Sequence, residues 1–506
     1  MNRPSLKFKS MMFRGGCAVM IVGVLLHLPM LATAHAMNNR LAGMPADPRM
    51  MLGMALIAIG AVAACYGALP GRTPAGRFPR AVHYEAPAAT PLNHWHLGLI
   101  GVLLIGLIID VMKPATLGFV LPGLAREYGI PRSTAALLPL AALIGTTVGS
   151  LFWGWLADIH GRRAAIVIST ILFVSTSICG AMPTFGWNIA MCFLMGSSAG
   201  GMLPVVYTLL AEVLPPRHRG WLLVGIGGVG LVGGYLAASV TAHLLEPAFG
   251  WRVLWLQGFP TGVLLLSLSR FIPESPQFLA ANGLEPDLRE LTRKFGLVPA
   301  SPPNTVGETT GSRSSALTVA LVIAGLGWSL VNFGLLLWLP TDLQHRLTPS
   351  AASGLLAWSA VLGLPVVIIA AWFYSRVSPI WTLVGAILLT GLGLIGLLFT
   401  NAGSASLGMI LVTGCLIAGT NGTIATLLPY TAESFSEKVR ARVTGLVAGS
   451  SKLGGVAVQS VALLGFAPSL GQASLTLAVP TFLSGGLLAW ARSRRNQHAP
   501  RPRITN

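Results

Sequence analysis

Residues 211–234 read AEVLPPRHRGWLLVGIGGVGLVGG, and residues 432–455 read AESFSEKVRARVTGLVAGSSKLGG. The second stretch begins 221 residues after the first and keeps its marks in register. Ala211-Glu212 returns as Ala432-Glu433, Arg219 as Arg440, and Gly233-Gly234 as Gly454-Gly455. Each copy closes one long apolar segment and opens the next. Such a repeat marks a chain built from two related halves. In membrane carriers of this design the substrate site lies near the midplane, where the halves meet. The pattern points to transport rather than to surface catalysis.

The composition agrees. Hydrophobic residues make up 53% of the 506 and charged residues only 9%. The mean hydropathy is +0.72. No soluble chain of this length hides that much apolar surface, and apolar runs of about 18 residues or more read as membrane spans. The 60 glycines and 34 prolines fit membrane helices, where both are tolerated. The net charge of +18 would fit a nucleic-acid face only if the basic residues were clustered. Instead 25 of the 33 Lys and Arg fall in segments that come out cytoplasmic. That is the positive-inside pattern, and it argues against a nucleic-acid partner. The cysteines (Cys17, Cys65, Cys179, Cys192, Cys415) all lie in apolar stretches without paired spacing. Neither a disulfide framework nor a metal site is expected, and no cofactor is implied.

Twelve spans follow residue 93, six in 94–272 and six in 316–491. A polar stretch, 273–315, links the halves on the cytoplasmic side, and a basic tail, 492–506, also belongs there. The first 93 residues hold two more apolar segments, 17–31 and 50–69. The first follows a basic start and precedes Ala34-His35-Ala36, so it reads either as an additional span or as a cleaved signal peptide. Both readings orient the core identically, because Arg72, Arg77 and Arg80 follow the second segment and face the cytoplasm.

Between the second and third spans runs Gly154-Trp155-Leu156-Ala157-Asp158-Ile159-His160-Gly161-Arg162-Arg163. It resembles the signature loop of the major facilitator superfamily, G-x-L-x-D-x-x-G-R-R. Pro273-Glu274-Ser275-Pro276, Gly250-Trp251-Arg252 and Trp338-Leu339-Pro340 resemble motifs of its sugar-porter and organic-ion branch. The resemblance implies an all-α membrane protein with the major facilitator fold. Twelve core helices form two six-helix halves, with one or two extra N-terminal hydrophobic segments. It also implies cytoplasmic gating by Gly154, Asp158, Gly161, Arg162, Arg163, Glu212, Arg219, Glu433 and Arg440. Asp158 is expected to cap a helix or to pair with an arginine across the half interface. The equivalent loop of the second half, Tyr374-Ser375-Arg376, lacks the aspartate, so the gate is expected to be asymmetric. Three departures narrow the substrate. Gln277 stands where the last motif arginine would be, Cys192 where many relatives carry arginine, and span seven lacks the paired glutamines of sugar porters.

Ionisable side chains inside hydrocarbon are costly, so each is a functional candidate. Asp110 and Lys113 lie three residues apart in span one. Lys452 lies in span eleven, ten residues beyond Arg442 and so about 15 Å deep. Its counterpart in the first half is Leu231, so it is no symmetric scaffold feature. Two lysines against one aspartate favour an anion, with Lys113 and Lys452 as its anchors and Asp110 as the proton carrier. Pro114 breaks the helix ladder beside them. Tyr207, Asn332 and Asn421 are further lining candidates, with Thr208 and Trp328. No catalytic constellation and no ATP-binding loop occurs, so the chain reads as no enzyme. The expected activity is secondary active uptake of a small organic anion with protons, by a monomer in a bacterial inner membrane, in contact with the lipid bilayer. The alternatives are a carrier of a neutral solute such as a sugar or polyol, in which the charges are structural, and a transporter-like receptor.

Overall fold

The computed structural model describes the chain except for residues 1–5, 38, 46, 70–82, 301–314, 401–404, 436 and 498–506. Arg72, Arg77, Arg80 and the tail arginines Arg501 and Arg503 therefore lie outside the described residues. Among those described, 13 helices are long and apolar enough to cross a membrane. The first half contains span one (His94–Tyr128), span two (Leu137–His160) and span three (Arg162–Ser175, ending in the 3-10 turn Thr176–Ala181). Span four follows in two pieces (Phe185–Ala199, Met202–Val213), then span five (Pro216–Phe249). Span six is divided into Val253–Leu256 and Gly258–Leu268, too short in either piece to count among the 13. The second half holds span seven (Ser315–Val331, a π turn at Asn332–Leu336, then Leu339–Gln344), span eight (Pro349–Arg376) and span nine (Pro379–Phe399). Span ten (Leu407–Ser434), span eleven (Glu437–Leu463) and span twelve (Leu470–Gln497) complete it.

The halves meet along a seam where span five packs on spans eight and ten, and span two packs on span eleven. The repeated glycine pairs do the same work on both sides. A Cβ at Gly234 would stand 2.9 Å from the carbonyl of Ile108 in span one. A Cβ at Gly454 would stand 2.9 Å from the carbonyl of Leu326 in span seven. Within each half the small residue lets one backbone rest on another, the packing that replaces hydrophobic burial in lipid.

The N-terminal extension forms a helical hairpin. Its helices, Leu6–Leu25 and Pro48–Ala68, pack along each other, and the second lies against span three. Gly16 and Gly23 on one helix face Gly53, Gly60 and Gly67 on the other, spaced by seven residues so that all share one stripe. A Cβ at Gly60 would stand 2.5 Å from the Met20 nitrogen, and one at Gly23 would stand 2.7 Å from the Gly53 carbonyl.

The linking stretch after span six is more ordered than its polar composition implies. It carries helices Pro276–Ala281 and Glu285–Phe295 and a strand, Val298–Ala300, which pairs antiparallel with His83–Glu85. The longer helix hides Leu288, Leu291 and Phe295 on one face and leaves its charges to water.

A buried ion pair ties the external face of the first half together. Glu127 and Arg252 have side chains only 5% and 2% exposed, with Arg252 Nη2 2.7 Å from Glu127 Oε1. Arg252 also donates to the carbonyls of Gly180 (2.9 Å) and Met182 (3.0 Å). Glu127 accepts from the Trp251 indole (2.9 Å) and from the backbone N–H of Leu41 (2.8 Å) and Ala42 (2.9 Å). One carboxylate thus joins span one, the turn into span six and the hairpin loop. Removing one partner of such a pair strands the other charge in an apolar site. Glu127→Ala is expected to cost about 3 kcal/mol, read as a lower unfolding temperature in detergent. Glu127→Gln should recover part of that loss by keeping some of the acceptor sites.

Candidate functional site

Span one passes the centre of the molecule with its ladder interrupted. Pro114 has no N–H to give to the carbonyl of Asp110, four residues earlier, so that carbonyl loses its helical donor. Asp110 and Lys113 stand on this weakened turn, and both are buried. They point to different neighbours, because three residues rotate a helix by about 300° and leave the side chains some 60° apart.

Lys113 turns inward to its own half. It is 1% exposed, and its ammonium donates to the Phe173 carbonyl and the Thr176 hydroxyl, both at 2.5 Å. It also lies 4.3 Å from the centre of the Phe173 ring. Phe173 and Thr176 bracket the point where span three changes from α-helix to a 3-10 turn. The cation meets a carbonyl at a helix C-terminus, the end where positive charge is favoured. The expectation that Lys113 faces the substrate gives way to this placement. Asp110 and Lys113 also form no ion pair, although they share a helix turn.

Asp110 looks across the seam. Lys452 on span eleven and Lys113 on its own helix turn are the cations within electrostatic reach of it. No direct ion pair or hydrogen bond joins the two, and neither side chain has another hydrogen-bonding partner among the described residues. Lys452 is half-buried, and Asp110 is 7% exposed. A carboxylate on one half and an ammonium on the other thus lie within electrostatic reach without forming an ion pair.

Polar groups around the seam are only partly satisfied. The hydroxyls of Tyr207 and Tyr235 and the indole N–H of Trp328 are buried without a hydrogen-bonding partner. Tyr207 reaches span five where Gly227 leaves room for it. Asn332 opens the π turn of span seven, a helix irregularity frequent at functional sites. Gln459 of span eleven supports that turn by donating to the Phe333 carbonyl at 2.6 Å and accepting from the Trp338 indole at 3.3 Å. Gln257 donates to Thr116 at 2.5 Å and leaves its own oxygen unbonded. Asn421 is buried in span ten and bonds back to the Ile417 carbonyl at 2.9 Å. Thr208 is exposed and bonded to Pro204, away from this lining.

The cytoplasmic mouth differs from expectation at Asp158. Its carboxylate pairs with Arg162 four residues on, at 2.6 Å, and is 72% exposed, so it does not bridge the halves. Arg162 also approaches Glu212 (3.7 Å), which accepts from the Ser275 hydroxyl. Glu274 accepts from the backbone N–H of Arg163 (3.2 Å) and Ser275 (2.9 Å), and it occupies the space beside Gly161, whose φ is +97°. Burial raises the Glu274 carboxyl above its ordinary value, and these backbone donors oppose the rise. All these contacts stay within the first half. The cross-seam contact is made by the second copy of the repeat. Glu433 lies over Gly220 of span five and accepts from the Tyr374 hydroxyl at 2.6 Å. Arg219 and Arg440 keep the repeat symmetry, each donating to the carbonyl five residues earlier, on Leu214 (3.3 Å) and Phe435 (3.4 Å).

The external mouth is closed by an ion pair the sequence did not single out. Arg132, ahead of span two, meets Asp342 at the end of span seven at 2.5 Å and stacks over Trp338. His243 Nδ1 of span five lies 2.8 Å from the Ser350 carbonyl of span eight. Charges at span ends are ordinary in such chains, so no local signal marks Arg132 and Asp342 as partners.

The two closures should respond independently. Gly220→Val would displace Glu433 and raise hydrogen–deuterium exchange at the cytoplasmic ends of spans five and ten, leaving external peptides unchanged. Asp342→Asn would raise exchange at the external ends of spans two and seven alone. Exchange rising at both ends in either variant would mean that the mouths are not separate gates.

Residues 99–459 match the family model described as Major Facilitator Superfamily. The chain is similar to the niacin transporter NiaP of Acinetobacter baylyi, 25% identical over 389 residues that cover 73% of this chain and 87% of that protein. It is also similar to the 4-hydroxybenzoate transporter PcaK of Pseudomonas putida, 28% identical over 428 residues, 78% of this chain and 92% of that protein. The xylose transporter XylE from E. coli, solved in a partially occluded inward-open conformation, superposes with a TM-score of 0.60 at 16% identity. That match covers 81% of this chain and 98% of that one, and shows a shared fold.

Proposed function

The chain belongs to the major facilitator superfamily and is a multi-pass membrane transporter, not an enzyme, and on that premise we propose that it takes up a small aromatic carboxylate together with a proton. The bacterial inner membrane is its proposed location, in keeping with its bacterial relatives. The observation that carries the reading is the pair of opposite, unbonded charges at the seam, Asp110 and Lys452. Niacin and 4-hydroxybenzoate, named for two relatives, both carry a carboxylate on an aromatic ring.

Charge neutrality supplies the coupling. In a low-dielectric interior an uncompensated charge costs several kcal/mol, roughly the penalty that confines ion pairs to good partners. Lys113 keeps its charge in every state, held by span three, so the groups that change are Asp110 and Lys452, and in the empty carrier an ionised Asp110 offsets Lys452. Once the substrate carboxylate sits on Lys452 and Asp110 holds a proton, the seam is neutral again. Anion alone, or proton alone, leaves one net charge that opposes the rocking of the halves. Only the empty and the doubly loaded states change sides readily. Tyr207, Trp328 and Asn332 supply polar groups and aromatic faces for the ring. Lys113, committed to span three, holds the frame around Asp110.

The test uses proteoliposomes with nicotinate and 4-hydroxybenzoate. Lys452→Met should lower both exchange and accumulation at least about 100-fold, the scale of losing one buried charge partner. Asp110→Asn should retain exchange yet lose proton-driven accumulation. Lys113→Met protein that remains folded should retain exchange. Accumulation against a gradient by Asp110→Asn would remove the proton role. Wild-type-like carboxylate exchange by Lys452→Met would remove the anion site.

A further inference from the structure

The loop of the N-terminal hairpin is held at the external face by Glu127, which accepts from the N–H of Leu41 and Ala42. Leu6 and Ala68, at the far ends of its two helices, therefore lie at the cytoplasmic face. The second helix has 21 residues. At 1.5 Å each they span about 31 Å, close to the hydrocarbon thickness of a bilayer. Its end thus marks the cytoplasmic boundary. A Cβ at Gly67 would stand 2.6 Å from the Lys9 carbonyl, and one at Gly16 would stand 2.6 Å from the Gly60 carbonyl. Arg14 lies between these two contacts, at the level where hydrocarbon gives way to headgroups.

Three cations of the first helix stand near this boundary, and they differ in how they are answered. Lys9 is committed to the hairpin itself. Its ammonium donates to the Leu69 carbonyl at 2.8 Å and lies 5.9 Å from the centre of the Tyr66 ring. Lys7 and Arg14 form neither an ion pair nor a hydrogen bond among the described residues. The nearby chain offers them no carboxylate, because Asp47 is the only acid in residues 1–84 and caps the second helix at its external end. Seven residues apart, Lys7 and Arg14 share one helix face, about 10 Å from each other along the axis. With Ser10, Met11 and Gly15 they line a groove of about 630 Å³. Every lining residue comes from this one helix, and a Cβ at Gly15 would meet nothing within 4 Å. No other described part of the protein closes the groove.

We propose that this groove seats the headgroup of one anionic phospholipid of the cytoplasmic leaflet. Arg14 reaches outward from the hydrocarbon edge and Lys7 reaches back toward it, as long cationic side chains do at such a boundary. Both converge on the lipid phosphate beside Ser10, which lies between them and offers its hydroxyl. A cation at the edge of hydrocarbon needs a counter-charge, and here only the leaflet can supply one. A zwitterionic headgroup fits less well, because its ammonium adds a third positive charge to two that are already unanswered. The seat anchors the hairpin, and through it span three, to the leaflet surface. It is independent of the solute carried.

Native mass spectrometry of the full chain in detergent, titrated with phosphatidylglycerol or phosphatidylcholine, reads the lipids it retains. One phosphatidylglycerol should be held more tightly than any phosphatidylcholine. Lys7→Gln and Arg14→Gln should each weaken it about fivefold, the factor one basic side chain contributes at an anionic membrane surface. Arg14→Lys should stay within about twofold of the parent, because the charge is kept. Arg289→Gln, on the linking helix with a side chain 79% exposed, should change nothing. Lys7 and Arg14 are exposed, so each variant should keep the parent unfolding temperature in lipid-free detergent. Equal retention of the two lipids by the parent would overturn the proposal. So would a loss in Arg289→Gln as large as in Arg14→Gln, which would mean diffuse attraction rather than a seat. Displacement of the lipid by soluble glycerol phosphate at equal concentration would assign the groove to a free phosphate and overturn the lipid.

Discussion

A charge inside hydrocarbon must be answered by another charge or by several dipoles, and the architecture follows from how each one is answered. Three solutions appear in one chain. Glu127 and Arg252 answer each other directly and then recruit five further backbone and indole groups around them. Lys113 is answered by a helix end, a hydroxyl and a ring. Asp110 and Lys452 answer each other only at a distance, across the surface along which the halves move. The first two arrangements are rigid. The third is incomplete, and incompleteness at a moving seam is what a carrier needs if a ligand is to finish the pairing.

The two halves illustrate how repeated sequence can be put to different uses. Gly233-Gly234 and Gly454-Gly455 perform the same packing task, and Arg219 and Arg440 make the same backbone contact. Glu212 and Glu433 do not. Glu212 is enclosed by Arg162 and Ser275 of its own half. Glu433 lacks an aspartate–arginine loop beside it and reaches instead to Tyr374 and over Gly220. Loss of the second signature loop thus frees one carboxylate to serve the seam, which is the asymmetry at the cytoplasmic mouth.

Some features were legible and others were not, for reasons that lie in particular residues. The membrane-spanning helices and the major facilitator fold followed from apolar runs and a repeat. The importance of Asp110, Lys113 and Lys452 followed from the cost of burying charge. Their division of labour did not, because helical spacing gives an angle between side chains but not the identity of the neighbour at that angle. Asp158 was expected either to cap a helix or to pair with an arginine across the seam, and in the structure it pairs with Arg162, four positions away and within easy reach. Gln277 read as a missing arginine. In three dimensions its amide is a donor and an acceptor at once, which an arginine is not, and Tyr84 uses both.

The sequence by itself determined the solvent of this protein and hence its architecture. The bilayer enforces helices about 20 residues long with their polar groups satisfied internally, and that rule can be applied to one segment at a time. The tertiary structure alone decided which charges meet. The partners of Lys113, Arg132, Arg252 and Lys452 are 60, 210, 125 and more than 300 residues away. Electrostatic attraction depends on distance in space and on what lies between, and neither quantity is written along the chain.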